Sequence, residues 1–392
     1  MAIRWRMLTL LFFVRAIMAF QFATVGAIAP LIGGEFQVDA IAIGVLIGLY
    51  FAPGIVVAFP GGAIANWLGD KRVLLFGVAL MAVGSALMAS SGVWEVQTTG
   101  RLISGVGGVV LNDVMSKMVM DWFAGKEIAT AMATFVNSWP AGIAIALLVQ
   151  PLVAGSGGVF AAYALEAVMA GIGLLALLVF YRSPDQPTNT SVIKGEFPKG
   201  LAFAAIVSAG FVWGLFNASL AIVFSFAPTL LVERGWTLAS AGASTSIVMF
   251  AVMATGIFGG FLADRTGRPA TILLFTTLAF IALLVAFPRL DGNVFIIAAI
   301  GCAAGLSVGP IMTLPTNAMV PQTRGMGMGL FYTIYYLCFS ATPWISGKII
   351  VSTGVARVFD FGAAISALSL VFLAIALKLT AREKRRIRDV QG

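Results

Sequence analysis

Long apolar runs dominate the chain, each interrupted by Gly, Pro or a cluster of charges. A helix needs about 20 apolar residues to cross a bilayer. The interruptions mark twelve runs of that order, near residues 7–33, 40–65, 72–92, 98–120, 127–154, 157–181, 200–230, 237–262, 269–288, 293–319, 326–350 and 355–379. The pattern predicts an all-α integral membrane fold with twelve transmembrane helices. Runs this long exclude a barrel, whose strands alternate over about ten residues. The first run is too long for the apolar core of a signal peptide, and no cleavage-type ending follows it.

Composition agrees. The 392 residues are 60% hydrophobic and 10% charged, against roughly 25% charged in soluble domains. That leaves too little polar surface for a soluble enzyme and too much apolar content for disorder. Cys302 and Cys338 fall in apolar runs and suggest neither a disulfide nor a metal site. There is no histidine, so the commonest metal ligand and proton shuttle is missing. No cofactor is expected. Eighteen of the 24 Lys and Arg fall on the side of the termini, four on the other side, and two within spans. This bias puts both termini in the cytoplasm of a cell inner membrane. The basic tail AREKRRIRD reads as a clamp on anionic lipid rather than a nucleic-acid patch.

The polar stretch at 182–199 divides the helices six and six. The expected organisation is a bundle over 1–181, a cytoplasmic linker over 182–199, a second bundle over 200–380 and a basic tail over 381–392. At an offset of 198 residues the halves share Ala29-Pro30 with Ala227-Pro228, Glu35 with Glu233, Gly44 with Gly242, and four further small residues through Gly69 and Gly267. Two parallel six-helix repeats place a substrate site at their interface near mid-membrane.

The loop after the eighth run reads GGFLADRTGRP, and the loop after the second reads GGAIANWLGDKR. With twelve spans, a central linker and a motif at both loops, the chain resembles the major facilitator superfamily. That resemblance implies two pseudo-symmetric six-helix bundles and a conformational latch in the two loops. The latch residues are Gly62, Asn66, Gly69, Asp70, Lys71 and Arg72 in the first loop, and Gly260, Asp264, Arg265, Gly267 and Arg268 in the second. Asn66 and Trp67 stand where the family has Asp and Arg, so the first copy departs from the pattern. RLISGVGGVV resembles the family's fourth-helix pattern, with Gly105, Gly107 and Gly108 making a smooth packing face. NSWPAG in the fifth run partly resembles the antiporter motif, and MVMDWFAGKEIATAMATFVNSWPAG resembles the cyanate and nitroimidazole permease branch.

Ionisable side chains inside spans are functional candidates by default. Arg15 faces either the cavity or the cytoplasmic surface. Arg101 either binds solute or snorkels outward. Asp113 and Lys117, four apart, share a helix face and are placed to form an ion pair; Asp113 and Glu166 are the candidate proton carriers. Tyr50, Asn137, Trp139, Trp213, Asn217, Asn317, Tyr332, Tyr335 and Tyr336 line a central cavity or pack helices together. The combined expectation is a monomeric secondary transporter, not an enzyme, that moves a small organic or inorganic anion by alternating access. Protons or a counter-transported anion are the coupling partners. The alternative is an efflux pump whose adaptable pocket draws on 30 Phe and 16 Met.

Overall fold

The structure, a computed structural model, describes residues 3–57, 69–124, 127–183, 197–290, 293–319 and 323–391. The first half contains α1 (Ile3–Ala27), α2 (Ala29–Phe36), α3 (Ala40–Gly48), α4 (Gly54–Val57), α5 (Asp70–Ser90), α6 (Trp94–Trp122), α7 (Ile128–Val136) and α8 (Ser138–Phe180). The second contains α9 (Gly200–Glu233), α10 (Leu238–Thr266), α11 (Pro269–Ala286), α12 (Val294–Ala318), α13 (Arg324–Thr353) and α14 (Ala356–Gln391). No strand occurs among the described residues.

Nine of the described helices are long and apolar enough to span a bilayer, or ten with the bent pair α2–α3 counted as one. The stretch Thr130–Phe180 has 51 residues, about 77 Å if straight, far beyond a core of about 30 Å. It is two helices joined at Gly158, whose φ of 76° leaves helical space. Likewise α2 continues α1, since the Ile28 N–H still reaches the Thr24 carbonyl (3.1 Å). The set is consistent with twelve crossings. The basic tail is not a separate segment: α14 runs on through it to Gln391.

The repeat is visible in the turns. Gln37 (φ 52°) ends α2, and Asp39 caps α3 by accepting from the Ala42 N–H (2.9 Å). Gly235 (φ 86°) and Thr237, each 198 residues later, do the same before α10, with Thr237 accepting from the Ser240 N–H (3.1 Å). A left-handed residue followed two positions on by a cap fixes how each second helix folds back on the first.

Two expected continuous helices are broken. The second run leaves helical geometry over Leu49–Pro53, where the Tyr50 N–H bonds the Ile47 carbonyl (3.4 Å) instead of Leu46. The fifth run breaks at Asn137, because Pro140 has no N–H to offer the Val136 carbonyl.

Large apolar side chains such as Phe275, Val179 and Phe295 are exposed around the outside, where lipid lies. On the face opposite the termini the two halves meet backbone to backbone. A methyl group at Gly44 would overlap the Pro343 carbonyl, one at Gly347 the Ala40 carbonyl, and one at Gly242 the Leu147 carbonyl. The Ser340 hydroxyl donates to the Gly48 carbonyl across the same seam (3.0 Å). The molecule is closed on this face.

Overpacking a fitted seam costs about 1–3 kcal/mol. Gly44→Val and Gly242→Val are expected to drive the halves apart there. Spin labels at Gln37 and Ser352, on different halves, should show the interlabel distance lengthen in both variants.

Candidate functional site

Arg15 projects from α1 to the carbonyls released by the break before α8. Its Nη1 donates to Phe135 (3.1 Å) and to Val136 (3.2 Å), the carbonyl that Pro140 leaves without a helical donor. Its Nε donates to Asn112 Oδ1 on α6 (3.2 Å), and the guanidinium lies over the Phe135 ring at 4.7 Å. Nη2 has no hydrogen-bond partner among the described residues, and the side chain is half-buried. Tyr332, Tyr335 and Tyr336 of α13 face it from the other half. Arg15 is thus the cationic group at the interface of the halves.

Above Arg15, towards the closed face, lies a dry aromatic plug. Phe22, Phe51 and Phe339 contact one another with centroids 4.7 to 5.5 Å apart, and Phe51 stacks on Tyr336 at 5.7 Å. These rings are buried. Trp139, Trp213, Tyr332 and Tyr335 are only half-buried, and the Trp139 ring lies 5.9 Å from the Arg15 guanidinium. Trp213 stacks on Tyr335 at 6.0 Å. Asn112, absent from the sequence candidates, links Arg15 to Tyr336 by donating to its phenol oxygen (3.4 Å). Asn217 returns its amide to the Trp213 carbonyl of its own helix (2.9 Å). Asn137 sits half-buried at the break itself. The side chain of Asn317 lies outside the described residues.

Arg101 occupies a different environment. It is fully buried and does not reach the surface. Its Nε donates to the Leu46 carbonyl (3.1 Å) that the α3 break releases, Nη1 to the Gln21 carbonyl (2.8 Å), and Nη2 to the Phe22 carbonyl (2.7 Å). The Tyr50 ring lies 4.6 Å from the guanidinium. Gly105 and Gly108, one and two turns on from Arg101, leave the slot this ring fills, since a Cβ at either would strike Tyr50. Tyr50 is buried with Arg101, apart from the half-buried rings around Arg15.

Behind them Glu166 points inward and is 1% exposed. Its Oε2 accepts from the Ser85 hydroxyl (2.8 Å), and its Oε1 accepts no hydrogen bond. Gln21 and Gln150 complete this buried polar layer; Gln150 donates to Thr24 Oγ1 (2.9 Å). The polar residues Gln21, Ser85, Asn112 and Gln150 had one signal in the sequence, namely amides and a hydroxyl inside apolar runs.

The loop charges are asymmetric. Lys117, expected to pair with Asp113, has its described partner elsewhere; the Asp113 side chain lies outside the described residues. Lys117 turns to Asp70 and contacts both oxygens at 2.9 Å. Asp70 begins α5, so the pair ties α5 to α6. Lys71 donates to the Tyr181 carbonyl (3.1 Å), and burial pushes the Tyr181 phenol up to about 12. Gly69 (φ 83°) and Gly267 (φ 63°) make the two turns. Arg72, Asp264, Arg265 and Arg268 form no ion pair among the described residues. Gly260 lies against Gly309 of α12. Gly62 and Asn66 lie outside the described residues, as does the side chain of Asp113.

A family model described as Major Facilitator Superfamily matches residues 11–343. The chain is 26% identical over 198 residues, 50% of its length and 43% of the relative's, to inner membrane transport protein YajR of Escherichia coli (strain K12). It is 30% identical over 123 residues, 31% of its length and 23% of the relative's, to "Probable anion transporter 3, chloroplastic" of Oryza sativa subsp. japonica. It therefore aligns with less than half the length of either relative. A bacterial homologue of the human lysosomal transporter Spinster, solved in an inward-facing and occupied conformation, superposes with a TM-score of 0.75. That match is 16% identical and covers 98% of this chain and 97% of the other, so it speaks to the fold.

Removing the Arg101 side chain leaves several carbonyls without their donor, each worth roughly 1–3 kcal/mol when buried. Arg101→Leu is expected to lower the melting temperature of purified protein by more than Lys117→Gln. The Lys117–Asp70 pair is partly exposed and contributes about 1 kcal/mol or less.

Proposed function

The chain belongs to the major facilitator superfamily, and we propose that it is a secondary transporter of small organic anions working by alternating access. The observation that carries the reading is Arg15. It is the cation at the seam between the halves, it is anchored on one edge, and Nη2 on its other edge is free among the described residues. A carboxylate or similar anion placed there meets a guanidinium whose position is already fixed, and a charge-assisted bond between ions is the stronger kind. Tyr332, Tyr335 and Trp213 of the second half border the same space, so a bound solute touches both halves. Contact with both halves is what lets the solute bias one arrangement over another. The half-buried rings suit a solute with an apolar or aromatic body.

Those same rings favour the second reading, efflux of hydrophobic compounds, in which Arg15 would be dispensable. The name of the plant relative, an anion transporter, supports the first. Glu166 is the proposed coupling group. A carboxyl buried with one oxygen lacking a donor is costly as an anion and cheaper protonated, so it can take up and release a proton as its surroundings change. The termini are proposed to face the cytoplasm, with the protein acting as a monomer in the inner membrane.

Counterflow in proteoliposomes tests this. Arg15→Gln is expected to reduce exchange of labelled aromatic and aliphatic carboxylates at least about tenfold, the equivalent of one charge-assisted bond. Full exchange in Arg15→Gln, together with extrusion of a lipophilic dye, would point to the second reading. Glu166→Gln is expected to keep counterflow but to lose its acceleration by an imposed pH gradient, with an imposed sodium gradient as the control.

A further inference from the structure

The break in the second span carries two adjacent aromatic residues that face different neighbourhoods. Phe51 faces the other half, stacked on Tyr336 (5.7 Å) and edge-on to Phe339 (4.9 Å). Tyr50 faces into the first half, in the slot left by Gly105 and Gly108. Its hydroxyl donates to Gln21 Oε1 (3.0 Å) and shares that proton with the Met18 carbonyl (3.2 Å). The Gln21 amide nitrogen donates to the Met81 carbonyl (3.0 Å) and to Ser85 Oγ. A carbonyl only accepts, so the Met81 contact fixes which end of the amide is nitrogen. Ser85, its oxygen occupied by that donor, gives its single proton to Glu166 Oε2 (2.8 Å). Every link therefore donates in one direction, from Tyr50 to Glu166. Oε2 is held as an acceptor, which leaves Oε1, without a donor, as the atom that gains and loses the proton. The other titratable or charged groups facing Glu166 are Arg101 and Tyr163.

We infer that the Leu49–Pro53 joint transmits closure of the two halves to Glu166 through Tyr50, Gln21 and Ser85, which act as positioning residues for the coupling proton. The inference rests on Glu166 being the coupling group. When the halves part at the plug, Phe51 loses Tyr336 and Phe339. Within the joint the Tyr50 N–H has only a long bond to the Ile47 carbonyl (3.4 Å), so Tyr50 is held less tightly than a residue inside a helix. Once the Tyr50 hydroxyl withdraws, the Gln21 carbonyl oxygen needs a new donor and its amide turns. Ser85 is then released from its fixed donation, and Oε2 loses the bond that favours the charged carboxyl. The affinity of Glu166 for a proton thus differs between the two arrangements, which is the thermodynamic requirement for coupling.

The test is the pH profile of gradient-driven uptake in proteoliposomes, with counterflow as the undriven reference. Ser85→Ala is expected to keep counterflow and to move the midpoint of driven uptake upward by about one pH unit, since the lost bond favours the carboxylate. Tyr50→Phe keeps the ring and is expected to move it the same way by less. Ser85→Thr, which restores a hydroxyl, is expected to restore the midpoint. The carbonyl-stretch band of the Glu166 carboxyl in difference infrared spectra, identified by its loss in Glu166→Gln, should shift in Ser85→Ala even if uptake is poor. If Glu166→Gln remains driven by pH, the coupling assignment falls and the relay with it. If Glu166→Gln uncouples while Ser85→Ala and Tyr50→Phe keep the native midpoint and infrared band, the relay is overturned and Glu166 stands.

Discussion

Breaking a helix inside a membrane frees a carbonyl that lipid cannot satisfy, and this protein answers each of two breaks with an arginine. The turn at Leu49–Pro53 frees Leu46, and Arg101 takes it. The missing N–H of Pro140 frees Val136, and Arg15 takes it. Each guanidinium then reaches further acceptors on its neighbours, so α1, α3 and α6 are tied by Arg101, and α1, α6 and α7 by Arg15. The charges expensive to bury are the same groups that make irregular backbone tolerable at depth.

This arrangement separates two roles that share one chemistry. Arg101 spends all its named donors on backbone and is sealed beneath Tyr50. Arg15 keeps an edge towards the space between the halves. One arginine is sealed within a bundle, and the other is anchored by its Nε and Nη1 while only half-buried. The breaks also place aromatic residues at the seam: Phe51 comes from one, Trp139 from beside the other. Backbone irregularity, ion placement and the plug are consequences of the same two interruptions.

Much of the fold was legible in the sequence because lipid imposes a length and a composition on every span. The offset of 198 residues reappears in the paired turns at Gln37–Asp39 and Gly235–Thr237, since caps and left-handed residues are local and residue-specific. The Arg15 assignment was open between cavity and surface, and depth along a span could not decide which way a flexible side chain turns. Arg101 was open between solute contact and snorkelling, and Tyr50 between cavity and packing, because an arginine near a span end gives no hint of the carbonyls it will meet. Lys117 pairs with Asp70 on a neighbouring helix, a partner that spacing along one helix could not show. The neutral members of the buried layer carried no charge to draw the eye.

The sequence by itself determined the solvent, the span pattern, the family and the short set of charges within the membrane, because each follows from local composition or from a motif contiguous in the chain. Which carbonyl each arginine serves, which face is closed, and that Gln21 and Ser85 stand between Tyr50 and Glu166 were decided only by the tertiary structure. Those relations join residues 29 to 292 positions apart, and no local rule in an apolar helix specifies which of its faces will meet which neighbour.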